Sequence, residues 1–260
     1  MFAPASRPDR FARALAAGAD AVCLDLEDAV PPDAKGQARA AVRDFLNAPR
    51  RGGPAVGVRI NALGTPWWSA DVEIGAQADF VMVPKTGHVD DLELVSKAAP
   101  DTALWPLIET PEGVMRCWEI AAAPKVQGVL FGAFDYAAEV GCAREWEPLL
   151  FVRSLLAAAC ARVHVELLDA PSGNLGDLSS LEPRSRRAKA LGFTGRACIH
   201  PDQVAAVNVA YTPSAIEVQQ AARVIAAFES AAGGAAQLDG KLIELPVALA
   251  ARRVLARGGD

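Results

Sequence analysis

The sequence predicts a (β/α)8 barrel followed by a C-terminal helical extension. Three observations carry this prediction. Eight short apolar runs alternate with segments patterned as helices, which implies a parallel sheet. The polar residues closing seven of those runs are Asp25, Asn61, Lys85, Glu109, Asp135, Asp169 and His200; they recur 24 to 36 residues apart, the length of one βα unit. No G-x-G-x-x-G turn follows the first run, as an open doubly wound sheet usually requires.

The elements follow in order. Residues 1–5 read as a short strand. Ser6 is placed to cap a helix opened by Pro8, with Phe11, Leu15 and Ala16 on its apolar face and Gly18 at its end. Residues 21–26 are the second strand, closed by Glu27 and Asp28; Pro31 and Pro32 then break the chain before a helix through Ala38, Val42 and Leu46. A loop is expected at Arg50, Arg51, Gly52 and Gly53. Further strands are expected at 56–61, 79–85, 104–109, 126–132, 163–169 and 194–200. The helices between and after them fall at 67–77, 89–99, 111–122, a long region ending near 162, 181–191 and 201–207. The barrel domain is therefore 1–212. Residues 213–260 form the extension, with a helix at 213–232, a hinge at Gly233 and Gly234, a turn at Leu238, Asp239 and Gly240, and a last helix at 246–256. Its apolar face must be covered by its own barrel or by a neighbouring subunit.

Bulk properties narrow the function. Of the 260 residues, 52% are apolar and 22% charged, a globular balance. The net charge of -5, with no long basic run, argues against nucleic acid as the main partner. Five cysteines, widely spaced and without a C-x-x-C pair, argue against a disulfide framework or a structural zinc and predict a reducing, cytoplasmic setting. The N-terminus lacks a charged stretch followed by an apolar one, and no apolar run reaches the ~18 residues of a membrane span, so neither a signal peptide nor a span is expected.

A barrel places its active site at the C-terminal ends of its strands, so the polar residues there are the candidates. Buried carboxylates that converge need a cation among them. Glu109 and Asp135 end adjacent units and would hold a divalent metal such as Mg²⁺, with water and substrate filling the other positions; alternatively each pairs with Arg59 or Lys85. Arg59 offers a planar fork for a substrate carboxylate, or a salt bridge to Glu27 or Asp28 across the mouth. Asn61 and Lys85 join it as substrate-binding candidates. Asp25, Glu27 and Asp28 form a tight acidic cluster suited to supporting a metal or ligating one. His200 reads as a structural hydrogen-bonder. No G-x-S-x-G, H-E-x-x-H or Schiff-base signature stands out.

Several motifs are together specific. Residues 2–11, Ala19 to Ala21 and Leu24 to Val30 resemble the start of the citrate lyase beta-subunit-like family, part of the wider HpcH/HpaI aldolase and citrate lyase superfamily. Arg59 to Asn61, Val83 to Lys85, Ile108 to Thr110, Gly132 to Asp135, Gly192 with Phe193, Ile199 to Pro201 and Leu238 to Lys241 match in the same order. The resemblance covers essentially the whole chain. It implies a TIM barrel binding Mg²⁺ through Glu109 and Asp135, with Arg59 on the carboxylate of a 2-oxo or 3-hydroxy acid. It also implies a coenzyme A or acyl-carrier thioester as substrate, and a trimer or larger assembly such as a hexamer. In the malyl-CoA lyase branch an aspartate from a neighbouring subunit completes the site; Asp239 is the matching candidate, although Glu244 stands nearby where many relatives have aspartate. Where the class II aldolase branch has a histidine base, this chain has Asp25 to Asp28, which points to the thioester branch.

The implied chemistry is carbon–carbon cleavage of a 3-hydroxyacyl thioester such as citryl-CoA into acetyl-CoA and oxaloacetate. Malyl-CoA or citramalyl-CoA cleavage, condensation or thioester hydrolysis on the same site, and a subunit dependent on carrier and transferase partners are the alternatives. A base takes the hydroxyl proton, with Asp239 from another subunit or Glu27 as candidates. Backbone N–H groups around Gly132 and Ala133 would bind the substrate carboxylate.

Overall fold

The computed structural model describes residues 1–50 and 52–258. Arg51 of the expected loop, and Gly259 and Asp260 at the end of the expected extension, lie outside the described residues. The chain divides into two compact units, Met1–Val207 and Asn208–Asp260.

The first unit is built on eight strands: β1 Phe2–Pro4, β2 Ala21–Asp25, β3 Ala55–Arg59, β4 Phe80–Val83, β5 Ala103–Ile108, β6 Gly128–Phe131, β7 Glu166–Asp169 and β8 Gly195–Arg196. They pair in chain order, all parallel. The Phe2 N–H donates to the Cys198 carbonyl at 2.8 Å, joining β1 to the segment that follows β8. Cys23, Phe80, Met82, Leu107, Leu130 and Ala197 fill the interior, so the centre is a packed core and not a pore. Helices follow the strands: α1 Phe11–Leu15, α2 Lys35–Asn47, α3 Trp68–Gly75, α4 Val89–Ala98, α5 Pro111–Met115, α6 Cys117–Ala121, α7 Ala133–Val140, α8 Leu150–Val163, α9 Leu181–Leu191 and α10 Asp202–Tyr211. None of the described helices is long and apolar enough to cross a membrane.

Local chemistry accounts for several departures from expectation. The expected helix at 111–122 is two short ones, because Arg116 leaves helical geometry at φ -107 and ψ 12. The long helical region is α7 and α8, separated where Gly141 takes φ +76. Asp135 is therefore not a strand end; β6 stops at Phe131, and Asp135 is the third residue of α7. The eighth strand keeps only two residues, and His200 lies in the turn beyond it, its Nδ1 accepting the Asp202 N–H. Ser6 does not cap the first helix; its hydroxyl donates to the Ala29 carbonyl at 3.2 Å.

The second unit holds α11 Ala215–Ser230, a hairpin of β9 Ala236–Leu238 and β10 Lys241–Ile243, and α12 Leu245–Arg257. Its own core includes Val224, Phe228, Ile243 and Ala248. Asp239 and Gly240 both take positive φ, 51° and 75°, as a two-residue hairpin turn demands. The sequence reading expected a turn there and missed the short strands on either side.

Candidate active site

Register between neighbouring parallel strands brings the site together. Asp25 at the end of β2 pairs with Arg59 at the end of β3. The Asp25 carboxylate accepts Nε and Nη2 of Arg59 at 2.7 and 2.6 Å, and also the Glu27 and Ala29 N–H groups. Arg59 Nη1 lies 2.7 Å from Glu27 and 3.2 Å from Asp28, while its guanidinium stacks 5.1 Å from the Phe2 ring centroid. Burial alone would lower the Arg59 pKa, but these carboxylates raise it above its ordinary value. Both Glu27 and Asp28 thus make the mouth-closing salt bridge considered above, and Asp25 joins them.

A second layer holds this cluster from behind. Lys35 Nζ donates to the carbonyls of Leu26 and Glu27, each at 2.7 Å. Asn61 Nδ2 donates to the Leu26 carbonyl and to Asp71, whose other oxygen accepts Arg39 Nε. Asn61 is buried and committed to this frame, and it does not line the pocket in front. Lys35, Arg39 and Asp71 were missed in the sequence. A lone lysine and aspartate on helices signal little until the fold brings them beneath the β2 end.

The other half of the mouth is acidic. Thr110 and Pro111 stop β5 and start α5, with Thr110 Oγ1 accepting the Gly113 N–H, and this leaves Glu109 at the strand's end. Leu107 pairs with Leu130 and Ile108 with Phe131, so the next step of the register sets Glu109 beside Gly132. A Cβ at Gly132 would lie 2.4 Å from the Glu109 Cβ and 2.7 Å from its Oε2, so only glycine fits there. Asp135 reaches the same place from the first turn of α7. Glu109 is 1% exposed, and its pKa is pushed up to about 9 by burial, by a hydrogen bond with Asp135 and by the charge of Glu27. Glu27 is itself raised to about 7, chiefly by burial.

One cation borders these acids. Lys85 takes φ +51, which turns its N–H onto Glu109 Oε1 at 2.8 Å; its Nζ stands 3.7 Å from Glu27. Burial lowers the Lys85 pKa, and Glu27, Glu109 and Asp135 outweigh it and raise it.

A cavity of 500 Å³ opens over Asp25, Arg59, Glu109, Gly132 and Asp135, with Phe134 and Ile199 among its apolar walls. Its lining belongs wholly to the first unit. Ala133 lines a second cavity, which also has Phe134 on its lining. Asp239 belongs to the second unit, where its carboxylate accepts Arg223 Nη2 at 2.8 Å.

Comparison with known proteins agrees with this geometry. A family model for HpcH/HpaI aldolase/citrate lyase matches residues 1–201. The chain belongs to the HpcH/HpaI aldolase/citrate lyase family. It is accordingly an enzyme of a carbon–carbon lyase family. A (3S)-malyl-CoA thioesterase of Cereibacter sphaeroides is 35% identical over 99% of this chain and 93% of its own length. An L-malyl-CoA/beta-methylmalyl-CoA lyase of the same organism is 32% identical over 94% of this chain and 89% of its own. CitE from Mycobacterium tuberculosis, crystallised with magnesium, acetoacetate and coenzyme A, superposes with a TM-score of 0.87 at 36% identity, covering 100% of this chain and 97% of that one. The same organism's citrate lyase beta subunit with oxaloacetate and magnesium gives 0.73 at 38% identity, over 82% and 96%.

The donor set fits a hard divalent cation. Two carboxylates meet at the cavity, Glu109 buried and Asp135 half-buried, and a cation would offset the burial that raises the Glu109 pKa. Among the described residues no three His, Cys, Asp or Glu side chains gather closely enough to form a full cage. Glu109 and Asp135 are the residues that would hold such an ion.

Proposed function

We propose that this protein is a Mg²⁺-dependent carbon–carbon lyase acting on a 3-hydroxyacyl coenzyme A thioester, releasing acetyl-CoA and a 2-oxo acid. The observation that carries this reading is the buried Glu109 and Asp135 pair beside Arg59 at the mouth of one cavity. The magnesium, oxo acids and coenzyme A bound in the M. tuberculosis structures support it.

Mg²⁺ held by the two carboxylates would polarise the oxygen that becomes the ketone. The chain's own groups do the rest. Arg59 commits Nε, one Nη1 and one Nη2 hydrogen to Asp25 and Asp28, with Glu27 a further ion-pair partner. The remaining Nη2 hydrogen would take the substrate carboxylate from a guanidinium already locked in place, so little side-chain entropy is lost on binding. The bare backbone of Gly132 lets a carboxylate approach beside Glu109. Phe134 and Ile199 give the cavity apolar walls beside which a developing enolate would form. Glu27, titrating near neutrality, and Asp239 supplied by a second copy are the two candidates for taking the hydroxyl proton. The family resemblance supports a trimer or hexamer, in which Asp239 would reach a neighbouring site.

A second reading shares the site. The 35% identity to a (3S)-malyl-CoA thioesterase favours hydrolysis of the thioester instead of cleavage. Product analysis with citryl-CoA, malyl-CoA and citramalyl-CoA separates the two. A lyase yields acetyl-CoA and a 2-oxo acid, whereas a thioesterase yields free coenzyme A and the intact hydroxy acid. Turnover of none of the three, with or without Mg²⁺, overturns both readings.

A further inference from the structure

A second cavity, of 610 Å³, shares Phe134, Ala170, Pro171 and Gly173 with the first and is cationic. Its lining includes Arg144, Arg153, Arg184 and Arg196 against a single acid, Glu145. Behind the lining, Asp169 at the end of β7 is fully buried and shared between two of those arginines: Arg153 Nε and Arg196 Nη2 both reach it. Four guanidinium groups thus meet two carboxylates.

The individual partners sharpen that imbalance. Arg196 is satisfied, donating also to Ser185 Oγ and the Ala170 carbonyl. Arg153 is not. Its side chain is 8% exposed, and its Nη1 is buried without a hydrogen-bond partner. It is wedged between the rings of Phe131 and Trp146, at 5.4 and 4.7 Å. Arg144 and Arg184, exposed at the rim, make no ion pair among the described residues; Arg144 stacks on Phe134 at 4.8 Å. A buried guanidinium nitrogen lacking an acceptor is costly unless something supplies one. Two unneutralised guanidiniums above it make a fork suited to an oxyanion.

We infer that this cavity is a second anion site, taking an oxyanion of two or more negative charges, a phosphate or a multiply charged carboxylate, between Arg144, Arg184 and the Arg153–Arg196 floor. Asn174, also on the lining, supplies a neutral donor. The site stands whether or not the metal-dependent reading holds, because no residue of the Glu109 and Asp135 pair takes part. It nevertheless abuts that pair. Phe134 walls both cavities and directly precedes Asp135 in α7, and a Cβ on Gly173 would meet the Phe134 ring at 3.2 Å. An anion drawing on Arg144 acts on the helix turn that carries Asp135.

Calorimetric titration of the full-length protein with inorganic phosphate, after metal has been stripped and the chelator dialysed away, tests the site. The expected result is one saturable site per chain, weakened by roughly tenfold or more in the Arg144→Gln/Arg184→Gln double variant and tightened in Glu145→Gln. Both variants alter exposed residues and leave the buried Arg153–Asp169–Arg196 cluster intact. Competition identifies the source. Displacement of phosphate by coenzyme A assigns the site to the phosphates of a thioester, displacement by succinate alone assigns it to a carboxylate metabolite, and displacement by neither leaves free phosphate as the ligand. Absence of saturation at about 10 mM phosphate, or unchanged affinity in the double variant, overturns the inference.

Discussion

Two buried carboxylates at strand ends have opposite fates. Asp169 at the end of β7 faces Arg196 in register on β8 and receives Arg153 from α8. Glu109 at the end of β5 faces Gly132 in the same kind of register, and its nearest side-chain partner is another acid. Both are almost wholly excluded from water. One is neutralised by the fold. The other has no guanidinium on it, and burial beside a second acid raises its pKa to about 9, the kind of perturbation that marks a candidate functional pair. The β2–β3 end, where Asp25 meets Arg59, follows the Asp169 pattern but keeps Arg59 on the cavity lining.

The comparison can be broken at either end. The largest expected effect is Asp135→Asn. Turnover with Mg²⁺ should fall by about 10³-fold or more with little change in melting temperature, since an amide cannot replace a charged ligand. Unchanged turnover would remove Asp135 from the site. At the opposite carboxylate, Arg153→Met should leave catalytic chemistry nominally intact but cost about 3–5 kcal/mol in unfolding free energy, because Asp169 loses one of two partners in the core. A variant as stable as wild type would show that Arg196 alone neutralises Asp169. Arg59→Lys comes next. It keeps the charge and loses the fork, so kcat/KM should drop by roughly 10²-fold, mostly through KM; wild-type kinetics would make Arg59 purely structural.

The smallest effect is a pH slope. The folded pKa of Glu109, about 9, exceeds its ordinary value of 4.5, so between those values the native state binds more protons than the unfolded chain. Stability of the metal-free protein should therefore decline as pH rises from about 4.5 toward 9, with Glu27 adding to the fall up to about 7. Urea unfolding midpoints across that range check it, and Glu109→Gln should flatten the slope.

Most of the barrel was legible because buried parallel strands read as unbroken apolar runs with abrupt polar ends. The carboxylates Glu109 and Asp169, and the cation Arg59, were visible by that rule. What the rule missed has a physical cause in each case. Asp135 was counted as a strand end because nothing in Gly132, Ala133 and Phe134 announces that the strand has stopped and a helix begun. The frame of Arg39, Asp71, Asn61 and Lys35 is made of contacts up to 35 residues apart, which no local pattern encodes. Arg153 did leave a signal that went unread. It is the one charge among the first eleven residues of α8, and an arginine in so apolar a helix needs a buried partner. Asp239 reads equally as the first residue of a tight Asp-Gly turn, and its pairing with Arg223 accounts for its place in the second unit.

The central claim is that Glu109 and Asp135 surrender a proton to a divalent cation. Titration of the protein with Mg²⁺ at pH 7, in two buffers of different ionisation enthalpy, tests it directly. The expected result is one Mg²⁺ per chain with about one proton released, both abolished in Glu109→Gln. Binding without proton release, or binding that persists in that variant, would contradict the account.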